Sequence, residues 1–166
     1  MPKKFKIAFF ELEHWEKDYF SKSLKGCDMK FIEDHLSENN LSQIKDFDAI
    51  GIFIYSVINK RMLNNLPSLK LIVTLSTGFD HIDIAECRKR KITVCNVPHY
   101  GENTVAEHTF ALILNLTRKI HKAYERTTRG NFSLDGLRGL DLQNKKIGVV
   151  GTGSIGQHVA RIAKGF

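Results

Sequence analysis

The sequence predicts an α/β protein built on a mainly parallel sheet. Two observations carry this expectation. Apolar runs of strand length alternate with helix-like segments through residues 5–97, the rhythm that places helices against the faces of a sheet. Near the other end, IGVVGTGSIGQHVARIAKGF (147–166) joins a β-branched run to an amphipathic segment through a glycine turn, a second strand-to-helix unit.

Taken in order, FKIAFFE (5–11) is an apolar run fit for a buried strand, and HWEKDYFSKSLKG (14–26) reads as a helix closed by Gly26. MKFIED (29–34) and DAIGIFIYS (48–56) are the next strand candidates. NKRMLNNL (59–66) reads as a short crossover helix ending before Pro67. LKLIVTLS (69–76) and ITVCNV (92–97) complete the strands, with DIAECRKR (83–90) as a short helix between them. After Pro98 the character changes. NTVAEHTFALILNLTRKIHKAYERT (103–127) has neither Pro nor Gly, and its opening Asn-Thr pair can cap a helix. Ala106, Phe110, Ala111, Leu112, Ile113, Leu114 and Leu116 leave that helix little polar face, so burial on several sides is expected, with another chain as one candidate cover. A polar, glycine-punctuated connection (129–146) leads into the strand-like IGVV.

At 166 residues and 42% hydrophobic content the chain has the material for one ordinary domain or two small ones. No stretch approaches the ~18 uninterrupted apolar residues of a membrane span. The opening MPKKFKIAFFELEHWEKD meets acids and a Trp where a signal peptide stays apolar, so a cytoplasmic location and no membrane partner are expected. Cys27, Cys87 and Cys95 form no close pair for a zinc site or disulfide. Cys95, in a strand-like run, reads as a small hydrophobe. The net charge of +7 is spread over many segments without interleaved aromatics, which argues against a nucleic-acid partner.

The glycines carry the chemistry. Gly151, Gly153 and Gly156 follow Ile147, Val149 and Val150 directly, while Ile155, Val159, Ile162, Ala163 and Phe166 recur at helical spacing after them. In such a turn Gly151 permits the tight bend, Gly153 lets a pyrophosphate reach the backbone, and Gly156 lets helix and strand pack closely. Backbone N–H groups around Ser154 and Ile155 then point at the phosphates with the favourable end of the helix dipole. The alternative is a glycine-rich turn that binds nothing. The acidic residue that would hold the adenosine ribose belongs about 20 residues past the first glycine. That count passes Phe166, so the choice between NAD and NADP cannot be read from the turn; NAD is the cofactor that the resemblance described next implies, with NADP not excluded.

With that turn in place, three further stretches, LKLIVTLSTGFDHIDI, VCNVPHYGENTVAEHTFALILNLTRK and LRGLDLQNKKIGVVGTGSIGQHVA, make the chain resemble the D-isomer-specific 2-hydroxyacid dehydrogenases. The resemblance covers residues 69–166. It implies a flavodoxin-like substrate domain at 1–98 and the first, incomplete part of a dinucleotide-binding Rossmann domain at 99–166, cut just after the glycine motif. It also implies hydride transfer between NAD(H) and C2 of a D-2-hydroxy or 2-oxo acid. Ser76, Thr77 and Gly78 match the turn whose amides receive the substrate carboxylate. Tyr100 and Asn103 match the hinge and cleft wall, with Asn103 hydrogen-bonding substrate and Val105 packing on the nicotinamide. Gly151, Gly153, Ser154, Ile155 and Gly156 match the cofactor turn. Homodimerisation is implied through the helix after Asn103.

The remaining polar residues have structural readings. Asp80 and Asp83 suit a turn and a helix cap, and Glu107 and His108 suit the opening of a helix. His99 is not taken as the acid-base residue, because the family's proton-transferring His, its Glu partner and the carboxylate-gripping Arg are expected in sequence after Phe166. No residue of this chain is therefore assigned as catalytic, and negligible turnover is expected of these 166 residues alone. The strand at 147–150 is central in such a fold and lacks sheet neighbours within the chain, so exposed edges are expected there. Two rival readings remain: a non-catalytic, dinucleotide-sensing protein of corepressor type, and a non-functional truncated remnant.

Overall fold

The computed structural model describes residues 4–166. Met1, Pro2 and Lys3, which open the stretch read above as unlike a signal peptide, lie outside the described residues. The chain divides into two compact units, Met1–Pro98 and His99–Phe166.

The first unit is a five-stranded parallel sheet with helices between its strands. Its elements run β1 (Lys6–Phe10), α1 (His14–Ser23), β2 (Asp28–Ile32), a 3-10 turn (Leu41–Ile44), β3 (Ala49–Ile52), α2 (Lys60–Asn64), β4 (Leu71–Thr74), α3 (Ile84–Lys89) and β5 (Thr93–Cys95). The strand order is β2-β1-β3-β4-β5, the doubly wound order of flavodoxin-like sheets. Register sets Ala8 beside Ile50 and Ile50 beside Ile72. One face therefore gathers Ala8, Phe10, Ile50, Ile52 and Ile72 against Leu36, Ile44, Ile58, Met62, Leu63 and Cys87. On the other face Phe9 stacks on Phe20 and Phe31, with ring centroids 4.5 and 5.6 Å apart. Gly51 makes this possible, since a Cβ there would lie 2.4 Å from the Phe9 ring.

Several local expectations are refined. The strand within 48–56 stops at Ile52, and the turn after it reaches solvent. The helix of 14–26 ends at Ser23, with Leu24 as its cap and Gly26 at φ +104 turning the chain into β2. Asp83 caps α3 by accepting the N–H of Glu86 at 2.9 Å. Cys95 is exposed on the edge strand, and Cys87 is the buried thiol, pushed above its ordinary pKa by burial.

The second unit contains α4 (Glu102–Thr117), α5 (Ile120–Thr128) and α6 (Ser154–Ala163). Three corrections arise here. The Asn-Thr pair does not cap α4: Gly101 does, and Asn103 lies in the first turn with its side chain on Glu107. The long 103–127 segment is two helices, because Lys119 takes a left-handed conformation (φ 54). The break is stabilised from outside the helix. Thr117 gives its carbonyl to Leu140 N–H at 3.0 Å, and Asn115 Oδ1 accepts His121 N–H at 2.9 Å. Finally, residues 147–150 form no strand, because no strand runs beside them among the described residues. The unit's core is Ala106 and Phe110 of α4 with Val159 of α6, and Phe110 stacks on Phe166 at 5.4 Å. Of the other apolar residues of α4, Ile113 and Leu114 are half-buried, while Leu112 and Leu116 are 51% and 67% exposed.

Candidate functional site

In the first unit the sequence-predicted residues Ser76, Thr77 and Gly78 come together at the C-terminal end of β4. The turn is laced from inside. Ser76, buried, donates its hydroxyl to the Gly78 carbonyl at 2.8 Å and pairs with the Thr74 hydroxyl at 2.6 Å. Thr74 also meets His81 Nε2 at 3.2 Å. Asn96 donates to the Thr77 carbonyl at 2.8 Å, and Thr77 returns its hydroxyl to the Val97 carbonyl at 3.0 Å. With carbonyls and hydroxyls so engaged, the exposed backbone N–H groups of Thr77 and Gly78 have no partner among the described residues. Two adjacent amide donors without partners on exposed residues at a strand end are suited to a carboxylate. Thr74, His81 and Asn96 were not singled out from sequence. They touch the turn through side-chain bonds that carry no local motif.

In the second unit Tyr100, Asn103 and Val105 lie at the start of α4, and all three are exposed. His99 Nδ1 is 2.8 Å from Glu102 Oε1. This hydrogen bond holds the Glu102 carboxyl below its ordinary range, with the charge of His158 on α6 a smaller cause in the same direction. Asn103 gives an amide N–H to Glu107, and its amide oxygen accepts no hydrogen bond among the described residues.

The glycine turn opens α6 in the same unit. Gly151 has φ +95, a conformation that side-chain-bearing residues rarely adopt. A Cβ on Gly156 would lie 2.0 Å from the Gly151 carbonyl oxygen, so helix and turn touch there. A Cβ on Gly153 would meet nothing within 4 Å. The backbone at Gly153 therefore faces open space, and the N–H groups of Ser154 and Ile155 have no partner among the described residues. A bend, a bare backbone and unpaired helix-start donors fit a dinucleotide pyrophosphate. Among the described residues no group of three or more His, Cys, Asp or Glu could hold a metal ion, and no helix is long and apolar enough to cross a membrane.

Residues 7–156 match the family model for the catalytic domain of D-isomer specific 2-hydroxyacid dehydrogenases. A 2-hydroxyacid dehydrogenase homolog of Haemophilus influenzae is 34% identical over 165 residues, covering 97% of this chain and 50% of that protein. D-lactate dehydrogenase of Escherichia coli is 33% identical over 165 residues, with the same coverage. Among solved structures, D-lactate dehydrogenase from Aquifex aeolicus, complexed with NAD and lactic acid, superposes with a TM-score of 0.88 at 34% identity, covering 96% of this chain and 48% of that one. The pyruvate reductase of Chlamydomonas reinhardtii gives 0.83 at 34% identity, with 98% and 49% covered. The chain spans about half the length of the relatives it matches. With its parallel sheet, its glycine turn and a family match across most of its length, the chain belongs to the D-isomer specific 2-hydroxyacid dehydrogenases.

Proposed function

We propose that this chain supplies the carboxylate-binding turn and the pyrophosphate-binding turn of an oxidoreductase that moves hydride between NAD(H) and C2 of a D-2-hydroxy or 2-oxo acid. The observation that carries the reading is the glycine turn, in which Gly151 bends at φ +95, Gly156 abuts the Gly151 carbonyl and Gly153 is bare to solvent.

In this reading residues 1–98 are the substrate domain and 99–166 the first part of the Rossmann domain. The N–H groups of Thr77 and Gly78 hold the acid's carboxylate, and Ser76 keeps their turn rigid through the Gly78 carbonyl. Of the residues at the start of α4, Tyr100 and Asn103 are the proposed substrate contacts, and Val105, 47% exposed, is the proposed nicotinamide contact. Gly153, Ser154 and Ile155 receive the pyrophosphate. Nicotinamide, when bound, supplies the hydride acceptor. No side chain of these 166 residues is assigned the hydroxyl proton, so they bind without turning over by themselves. The protein is cytoplasmic and homodimeric, and the exposed apolar positions Leu112 and Leu116 on α4 support that pairing.

The test is a titration of the chain with NADH, followed by fluorescence. Gly153→Val should weaken binding at least tenfold while leaving the circular dichroism unchanged. Absence of NADH binding by the unsubstituted chain would overturn the reading. Oxidation of NADH with pyruvate, glyoxylate or hydroxypyruvate well above a protein-free blank would remove the claim that these residues only bind.

A further inference from the structure

Two hydroxyls behind the 76–78 turn are cut off from water, with Thr74 0% and Ser76 4% exposed. A hydroxyl has one hydrogen to donate and two lone pairs to accept with, and when buried it must find its partners within the protein. Only one arrangement of hydrogens satisfies both groups. Ser76 donates to the Gly78 carbonyl at 2.8 Å, so in its 2.6 Å contact with Thr74 the donor is Thr74. Thr74 then has no hydrogen left for His81, and in the 3.2 Å contact with Nε2 the donor is the ring. The result is a directed chain: His81 Nε2–H to Thr74, Thr74 to Ser76, and Ser76 to the Gly78 carbonyl.

The head of the chain is fixed in place. The His81 carbonyl accepts the Ile58 N–H at 2.8 Å, and Asp83 N–H returns to the Ile58 carbonyl at 2.8 Å, so residues 81–83 are clamped along the buried Ile58. Ile82, also buried, closes a turn by donating its N–H to the Phe79 carbonyl at 3.0 Å. His81 Nδ1 has no hydrogen-bond partner among the described residues. Either ring nitrogen of a neutral imidazole can carry the hydrogen, and the bonds around the ring decide which. With the hydrogen on Nδ1, the bare Nε2 would accept from Thr74, Thr74 would accept from Ser76, and the Gly78 carbonyl would lose its donor. With the hydrogen on Nε2 the brace on Gly78 is kept. An imidazolium carries hydrogen on both nitrogens and preserves the same direction.

We propose that His81 is a positioning residue for substrate: as the Nε2–H donor at the head of this chain it sets the direction of the Thr74 and Ser76 hydroxyls, and so holds the 76–78 turn in the shape that presents the Thr77 and Gly78 N–H groups to a carboxylate. The proposal rests on the reading of 76–78 as the carboxylate site. The ring acts on the acid only through the two buried hydroxyls. A side chain at position 81 that fills the same space without a donor leaves Thr74 free to turn, and Ser76 with it.

The experiment uses the 166-residue chain with pyruvate as the probe in amide NMR titrations, together with the carbonyl carbon signal of Gly78 and the ring nitrogen signals of His81. In the unsubstituted chain the neutral His81 ring should carry its hydrogen on Nε2. His81→Phe keeps a ring and deletes the donor, so it should move the Gly78 carbonyl signal and raise the pyruvate dissociation constant at least fivefold. His81→Gln, whose amide N–H reaches the place of Nε2, should leave the Gly78 signal in place and the constant within twofold of the unsubstituted value. Ser76→Ala removes the last link, so adding His81→Phe to it should change the constant less than twofold further. A fivefold loss in that background, a glutamine variant as weak as the phenylalanine one, or a neutral ring with its hydrogen on Nδ1 would each overturn the proposal. Should His81→Phe not fold, Thr74→Val deletes the middle link at nearly constant shape and decides by the same Gly78 signal and fivefold criterion. Pyruvate binding by the unsubstituted chain with a Gly78 signal indifferent to His81→Phe would defeat the proposal alone, whereas an unsubstituted chain that does not bind pyruvate would defeat the carboxylate reading with it.

Discussion

The two units differ in what holds their backbone. In Met1–Pro98 the central strands β1 and β3 are paired on both edges, and the burial of β3 is complete along its length. In His99–Phe166 the helices satisfy their own hydrogen bonds, the core is Ala106, Phe110 and Val159, and Phe132, Leu134 and Val150 are 77%, 82% and 104% exposed. A helix carries its partners within itself and can be ordered on a small contact. An extended segment cannot, because each of its amides needs a neighbouring chain or water. The same kind of apolar sequence, IAFF in one unit and IGVV in the other, is a strand in the first and an unpaired run in the second.

The largest test of this contrast is hydrogen exchange. Amides of Ala8 and Ile50 should exchange about a thousandfold or more slowly than those of Gly148, Val149 and Val150, since the first set opens only with the sheet. Strong protection across 147–150 in a monomeric sample would break the comparison.

A matched pair of glycine substitutions sharpens it. In Gly51→Ala the new Cβ would lie 2.4 Å from the Phe9 ring, and in Gly156→Ala it would lie 2.0 Å from the Gly151 carbonyl oxygen. The Phe9 ring, stacked on Phe20 and Phe31, can rotate while the core on the opposite face stays intact, so Gly51→Ala should cost about 1–3 kcal/mol and leave the first unit folded. The carbonyl belongs to a turn with no give. Gly156→Ala should therefore lift α6 off the turn and erase the near-ultraviolet and NMR signatures of the α4–α6 contact. Urea titrations that showed the two substitutions to be equivalent would mean that the second unit is as well buttressed as the first.

The smallest effect is electrostatic. Glu102 is held below the ordinary carboxylate range mainly by His99, and Glu86 in the first unit mainly by Arg90. A carboxyl depressed on folding favours the folded state above its unfolded pKa, and that contribution disappears as the pH falls through the folded value. His99→Ala should return the Glu102 carboxyl carbon titration toward the usual range and leave Glu86 untouched. A Glu102 titration curve that did not move would show that its hydrogen bond to His99 is not formed in solution.

What was legible in the sequence follows the same division. The five strands could be read because each is a short apolar run bounded by turn residues, and Asp83 caps its helix where the local pattern placed it, whereas Asn59, read as part of its helix, is the residue that caps it. The 3-10 turn at Leu41–Ile44 could not, since four residues carry no period. The break at Lys119 has no Gly or Pro to mark it, and it depends on Leu140, far along the chain. The glycine turn was legible through spacing, and the 76–78 turn only through resemblance. The bonds that the Glu11 carboxylate accepts from the Phe53 and Tyr55 N–H groups and the Ser56 hydroxyl were silent, since those partners lie 42, 44 and 45 residues away with nothing local to betray them.

The strand order has a consequence for biosynthesis. β1 lies between β2 and β3, yet it is made before either of them. At ~5–20 residues per second, roughly 2–9 s separate the emergence of Lys6 from that of Ile52. During that interval an interior strand of the sheet, with Phe9 and Phe10 at its end, has at best one flank on the ribosome. A chaperone that samples nascent chains should meet this stretch before the other strands of the sheet, and slowing translation between β2 and β3 should lower the soluble yield more than slowing it after β5.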